Sequence, residues 1–312
     1  MANKSHFNSG LKMLNMMKAN GISHSSSIKF SIPKKTRHAL FISDAVDVLK
    51  KIPDNSIQLI LIDPPYNIDM ASWDSFHNYL EWAKIWLEES RRVLKDSGNM
   101  AIFGGLQYQG IKTGDLMELI FYLRNHTDMR LVNFIIWYYK NGMSAHRFFA
   151  NRHEEIVWFA KTKKYYFDLD SVRIPFDEKT KIAYRRDKRL NPDSIEKGKN
   201  PTNVWEIGRL NSNSWERVGH PTQKPAEVVR RLVRGLSHPG SIVLDFFAGS
   251  GTTGKVCIEE NRHSILVDND PMFEKYFEKH LKKLSVKHKN KFEIVKNPSS
   301  EFFNHKNKQV TI

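Results

Sequence analysis

The residues best suited to chemistry in this chain of 312 residues stand at two places. The first is Asp63-Pro64-Pro65-Tyr66, which directly follows the apolar run Leu59-Ile60-Leu61-Ile62. A carboxylate, two prolines and an aromatic ring at the end of a buried strand lie where ligands bind in open α/β sheets. Proline fixes φ and has no N–H, so the carbonyls beside Pro64 and Pro65 stay free to accept hydrogen bonds from a substrate amine, and Asp63 adds a carboxylate acceptor. The second place is Asp245-Phe246-Phe247-Ala248-Gly249-Ser250-Gly251, where small residues let a ligand approach the backbone closely. Asp268 stands 19 positions after Gly249, near the separation at which an acidic side chain reaches ribose hydroxyls, so an adenosine ligand is implied.

Two other motifs fail at a residue their chemistry requires. Gly249 to Gly254, with Lys255, matches most of a phosphate-binding loop, but Val256 stands where a hydroxyl must hold magnesium. His153-Glu154-Glu155-Ile156-Val157 opens like a zinc-protease helix and has Val157 in place of the second histidine, so no metal site is expected.

The elements that must position these residues follow from periodicity. A strand over 39–43, a helix over 46–51 and a wholly apolar strand over 57–62 come first; fully apolar strands are buried on both faces. A helix over 79–94, a strand over 99–103, a helix over 116–124 and strands over 133–139 and 155–159 follow. The segment 168–219 turns polar and charged, with Arg185-Arg186-Asp187-Lys188-Arg189, and interrupts the sheet pattern. A strand over 241–245, the glycine turn with its helix, a strand over 264–268 and a helix over 274–284 resume it. A last strand is expected over 292–295. Such alternation defines a doubly wound α/β sheet.

The division expected is a basic N-terminal arm over 1–38, a catalytic half over 39–167, an insert over 168–219, a cofactor-binding half over 220–285 and a lysine-rich C-terminal tail over 286–312. Lys and Arg total 49 against 34 Asp and Glu, a net charge of +15 that suits a polyanionic partner. The single cysteine, Cys257, excludes a disulfide framework and points to a reducing compartment. No apolar run approaches the ~20 residues that span a bilayer, and the start lacks the apolar stretch of a signal peptide, so a cytoplasmic protein away from membranes is expected.

With Asp63-Pro64-Pro65-Tyr66 and Phe247-Ala248-Gly249-Ser250-Gly251 in this order, the chain resembles the β group of S-adenosylmethionine-dependent amino-methyltransferases of DNA. Ser43-Asp44-Ala45, Trp73-Asp74, His153-Glu154-Glu155 and His220-Pro221-Thr222-Gln223-Lys224-Pro225 are similar to further signposts of that family. The likeness covers roughly 36–285. It implies a Rossmann-like methyltransferase sheet with circularly permuted motif order, an inserted target-recognition segment, and methylation of the adenine amino group (N6) in double-stranded DNA. Asp63 favours adenine over the cytosine amino group, where the family more often carries serine.

The resemblance also implies residue roles. Asp63 and the Pro64 carbonyl take the two amino protons, within a catalytic set that includes Pro65, and Tyr66 stacks on the extruded base. The cofactor site draws on Asp44, Ala45, Asp63, His220, Pro221, Thr222, Lys224, the turn from Asp245 through Phe246, Phe247, Ala248, Gly249 and Ser250 to Gly251, and Asp268. Within it Asp44 reaches the cofactor adenine, Asp245 the methionine ammonium, Lys224 its carboxylate and Asp268 the ribose. Trp137 and Tyr138 form either a second wall for the base or core. Stretches over 103–110, 141–145, 147–155 and 200–205 are similar to a GAATTC-specific member of the family, so a nucleoid-associated bacterial enzyme of that specificity is expected. A catalytically silent DNA-binding regulator is the rival reading, and a homodimer and a cognate restriction endonuclease are left open.

Overall fold

The computed structural model describes residues 30–69, 74–106, 115–142, 145–147, 149–298 and 300–303. Most of the expected N-terminal arm, Trp73, parts of the stretches 103–110, 141–145 and 147–155, and the end of the C-terminal tail lie outside the described residues.

Among the described residues nine strands form one sheet: β1 (Thr36–Ile42), β2 (Ile57–Ile62), β3 (Leu94–Gly104), β4 (Arg130–Tyr138), β5 (His153–Ala160), β6 (Val204–Glu206), β7 (Ile242–Asp245), β8 (His263–Asp268) and β9 (Phe292–Lys296). Their spatial order is β6-β4-β5-β3-β2-β7-β8-β1-β9. Only β5 runs antiparallel to its neighbours; every other pairing is parallel.

The helices are α1 (Ala45–Leu49), α2 (Tyr79–Val93), α3 (Leu116–His126), α4 (Glu178–Arg185), α5 (Pro192–Lys197), α6 (Ala226–Leu236), α7 (Thr252–Glu259) and α8 (Phe273–Lys282). The central strand β2 shows why they lie on both faces. Successive side chains of a strand point to opposite sides, and Ile60 and Ile62 pack in the cluster that holds Leu49, Trp86, Leu87 and Leu119 from α1, α2 and α3. Leu59 and Leu61 pack on the other side with Val229 and Leu232 of α6 and Val256 and Cys257 of α7. A third cluster seats Phe273 and Phe277 of α8 on Leu40 and Leu266.

Three features differ from the sequence-based expectation. The first strand begins at Thr36, inside the stretch read as an arm, and pairs with both β8 and β9. The sheet is not interrupted throughout the insert, because Val204–Glu206 adds β6 beside β4; three residues are too few to register as alternation. Helix α6 was not anticipated, although Val228, Val229, Leu232, Val233 and Leu236 are buried at helical spacing.

Candidate active site at the carboxyl edge of the sheet

The parallel neighbours β2, β7, β8 and β1 all end on one edge of the sheet. Each delivers a carboxylate there: Asp63 follows Ile62, Asp245 and Asp268 close β7 and β8, and Asp44 lies two positions beyond Ile42. The edge is braced across strands, since the Ser43 N–H donates to the Asp268 carbonyl at 3.1 Å and the Ala248 N–H to Val267 at 3.0 Å.

Two clefts of about 470 Å³ each open on this edge. The first is lined by Asp44, Ala45, Asp245, Phe246, Phe247, Ala248, Gly249, Ser250, Asp268 and His220, with Trp82 and Trp86 behind. The second is lined by Pro64, Tyr66, Trp137, Glu154, Arg209, Asn211 and Pro221. Asp63, Pro65, Thr222 and Lys224 belong to both and form the wall where the clefts meet. Pro221 thus faces the second cleft, and Gly251 lines neither.

The tetrapeptide is held by a dense set of bonds. The Tyr66 hydroxyl donates to Asp63 Oδ1 at 2.8 Å, and Lys224 Nζ stands 2.7 Å from Asp63 Oδ2. The Tyr79 hydroxyl donates to the Pro65 carbonyl at 2.7 Å, and the Asp115 N–H lies 3.4 Å from the Tyr66 carbonyl. The Pro64 carbonyl accepts no hydrogen bond from the described residues. Beyond it Asn67 takes a left-handed φ of 57°, and its N–H and that of Ile68 donate to the buried Asp74 carboxylate at 2.7 and 3.2 Å. The Asn67 amide donates to Asp115 at 2.7 Å and accepts from the Phe76 N–H at 2.7 Å. Asp74 had a signal in the Trp73-Asp74 signpost; Tyr79, Asn67 and Asp115 are brought in only by folding.

The glycine turn is organised by Asp268, whose two oxygens accept from the Gly249 N–H at 2.6 Å and the Asp270 N–H at 2.9 Å. Gly249 has φ of +49°, and a Cβ there would stand 3.2 Å from the His220 ring. Gly251 has φ of +80° and would place a Cβ 2.7 Å from Phe277, so its bareness serves packing of α8 as well as the turn. Burial raises the Asp268 carboxyl above its ordinary range and lowers the His220 imidazole. Asp245 is buried at the cleft wall; desolvation lifts it to about 7 against the opposing hydrogen bonds from Thr253 and the Phe247 N–H. Asp44 caps α1 through the N–H groups of Val46 and Asp47 at 2.8 and 3.3 Å. Phe246 is fully buried against Trp86, with ring centroids 5.8 Å apart. Trp137 is both core and cleft lining, and its indole N–H donates to the Ile207 carbonyl at 2.7 Å.

Motifs set aside on sequence grounds have structural places. Lys255 is buried and paired with Glu259 at 2.7 Å. His153, Glu154 and Glu155 lie on strand β5, not on a helix, and Glu155 accepts from the Leu106 N–H at 3.3 Å. In the insert, Arg185 pairs with Glu196 at 2.5 Å and Arg189 with Asp187 at 2.7 Å. Trp205 is buried beneath Arg231, whose guanidinium stands 4.9 Å from its ring. Among the described residues no helix is long and apolar enough to cross a membrane, and no group of three His, Cys, Asp or Glu could hold a metal ion.

Comparison with known proteins gives these features a family. The family model described as DNA methylase, of the N6/N4 methyltransferase type, matches residues 57–279, a span that takes in the tetrapeptide, the second cleft, the glycine turn and all of the first cleft's lining except residues 43–46. The type II methyltransferase M.HpaI of Haemophilus parainfluenzae is 37% identical over 235 residues, covering 73% of this chain and 69% of that protein. The DNA adenine methyltransferase YhdJ of Escherichia coli is 32% identical over 236 residues, covering 72% and 76%. The fold is that of the PvuII DNA methyltransferase (cytosine-N4-specific), with a TM-score of 0.61 and 19% identity over 88% of this chain and 94% of that one. M1.HpyAVI, solved as a complex with S-adenosylmethionine, superposes with a TM-score of 0.52 and 23% identity over 79% and 100%. The chain belongs to the N6/N4 DNA methylase family, and it is a DNA methyltransferase.

Proposed function

We propose that this enzyme transfers a methyl group from S-adenosylmethionine to N6 of adenine in double-stranded DNA, within GAATTC, as the modification arm of a type II restriction–modification pair. The observation that carries the reading is the wall shared by the two clefts. A cofactor in the first and an extruded base in the second would meet at Asp63, Pro65, Thr222 and Lys224.

The first cleft suits the cofactor. It presents the carboxylates of Asp44, Asp245 and Asp268 to a cationic, hydroxyl-bearing ligand, and it includes Trp86, whose buried indole N–H has no protein partner among the described residues. Bound there, the cofactor supplies an electrophilic methyl on a sulfonium. Asp245 would hold its ammonium, Asp268 its ribose, and Asp44 its adenine. Lys224 is already engaged by Asp63, which makes it a link between the clefts in addition to a partner for the cofactor carboxylate.

The lone pair of an adenine amine is delocalised into the ring and must be drawn toward tetrahedral geometry before it can attack. Asp63 and the open Pro64 carbonyl are two acceptors placed to do so, and rate would come from alignment and preorganised electrostatics. Extruding the base costs a few kcal/mol, and stacking on Tyr66 returns roughly 1–3 kcal/mol. Adenine as target is supported by Asp63 and by the kinship with YhdJ. GAATTC is supported by the likeness of residues 103–110, 141–145, 147–155 and 200–205 to the RsrI methyltransferase. Base reading would fall to the insert, whose Arg209 and Asn211 line the second cleft, while the net charge of +15 serves the phosphates.

Asp63→Ala tests the reading: methyl transfer should be lost while calorimetry finds cofactor affinity largely intact. Turnover near the wild-type level would remove Asp63 from the mechanism.

A further inference from the structure

Opposite Asp63 stands a second carboxylate that none of these steps uses. Glu154, the second residue of β5, is buried, and its Oε2 lies 3.3 Å from Lys224 Nζ and 3.4 Å from the Tyr66 hydroxyl. The same two groups hold Asp63, at 2.7 and 2.8 Å. The four side chains therefore close a ring in which Lys224 and Tyr66 each bridge the two carboxylates. Lys224 also stands 5.3 Å above the Tyr66 ring, so its position bears on the ring as well as on Asp63.

We infer that Glu154 is a positioning residue for methyl transfer, acting on the target amine through Lys224 and Tyr66; the inference rests on the reading of Asp63 given above. A lysine ammonium is a point charge on a flexible four-carbon stem, and one anionic partner leaves it free to pivot. Two carboxylates in a poorly solvated wall fix it from both sides, where charge interactions are strongest. The anchor is part of the sheet: Glu154 pairs in register with Trp137 of β4, and the next residue, Glu155, pairs with Gly104 of β3. Without Glu154 the ammonium can swing toward the first cleft, which Lys224 also lines, and carry the Asp63 carboxylate with it. Glu154 lines only the second cleft, so it touches Lys224 and Tyr66 from the side away from the cofactor cleft.

The test pairs Glu154→Gln, which keeps size and removes charge, with Glu154→Asp, which keeps charge and shortens the reach. Both should lower kcat about 100-fold, the scale of a 1 Å misplacement. Cofactor Kd should stay within about threefold of wild type, and the unfolding midpoint should stay close to wild type. A 2-aminopurine at the target adenine should fluoresce differently in the variant complex, because Lys224 is no longer held over the Tyr66 ring by Glu154. Combined with Lys224→Met, Glu154→Gln should add less than about threefold. Turnover of Glu154→Gln near wild type, a cofactor Kd that weakens in step with kcat, or effects that multiply in the double variant would each overturn the inference. An inactive Asp63→Ala beside an active Glu154→Gln removes Glu154 alone, whereas an active Asp63→Ala removes the reading beneath it.

Discussion

The Tyr79 hydroxyl reaches from the first turn of α2 to the Pro65 carbonyl, at 2.7 Å, and ties the Asp63–Tyr66 tetrapeptide to the helical layer. Burial, reinforced by the charges of Asp115, Asp74 and Asp63, pushes the phenol well above its ordinary range, so it stays a neutral donor. Tyr79→Phe leaves that carbonyl without its donor, which should cost about 1–2 kcal/mol of stability. Denaturant unfolding should show the loss, and kcat should fall several-fold with cofactor affinity unmoved. Unchanged stability and kcat would mean that Pro65 is held by other contacts.

Cofactor binding should depend on pH through Asp245, whose carboxyl burial lifts to about 7. A folded value above the unfolded one means that this group's contribution to apoprotein stability is full below about 3.9 and is lost as pH rises through 7. Its ionised form, the partner for an ammonium, is populated only at the upper end of that window. Affinity measured by calorimetry should therefore tighten from pH 6 upward, until the cofactor amine itself deprotonates near ~8. Asp245→Asn should flatten the slope and weaken binding by about 1.5–3 kcal/mol, the scale of a charge-assisted bond. A slope that survives in the variant would assign the titration elsewhere.

Acid should unfold the protein through two buried histidines. Desolvation, with His263 nearby, lowers His38 to about 3, and desolvation with Lys255 and Lys283 lowers His280 to about 3. Both stay neutral in the fold while the unfolded chain takes up protons below 6.5. Stability is thus fully present above 6.5 and is lost as pH falls toward 3, by roughly 3–5 kcal/mol for each group. His38 bonds Thr36 and Ser264 at 2.8 Å each, while His280 Nδ1 is buried without a partner among the described residues. His280→Leu should therefore reduce the pH slope of the unfolding free energy by one proton. An unaltered slope would show that His280 is not neutral in the fold.

Legibility in the sequence followed from how local each feature is. Strand β2 and Asp63 to Tyr66 could be read because an unbroken apolar run ends in a contiguous motif. Asp245, Gly249 and Asp268 were readable because strand, turn and strand follow one another along the chain. Lys224 against Asp63 was not, since 161 positions separate them and their segments meet through the packing of α6 on β2 and the pairing of β2 with β7. Glu154 carried a motif, but its partners come from two other segments. Helix α6 shows helical periodicity, with Val228, Val229, Leu232, Val233 and Leu236 on its buried face, directly after the His220 to Pro225 signpost. Strand β6 has too few residues for any period to show.

The decisive measurement is to incubate the enzyme with labelled S-adenosylmethionine and duplex DNA carrying GAATTC, digest the product to nucleosides and identify the labelled one. The expected result is N6-methyladenine, absent from a duplex that lacks the site, with the modified DNA resisting an endonuclease that cuts GAATTC. Label in N4-methylcytosine, or N6-methyladenine formed equally well without GAATTC, would contradict the assignment of base or of site.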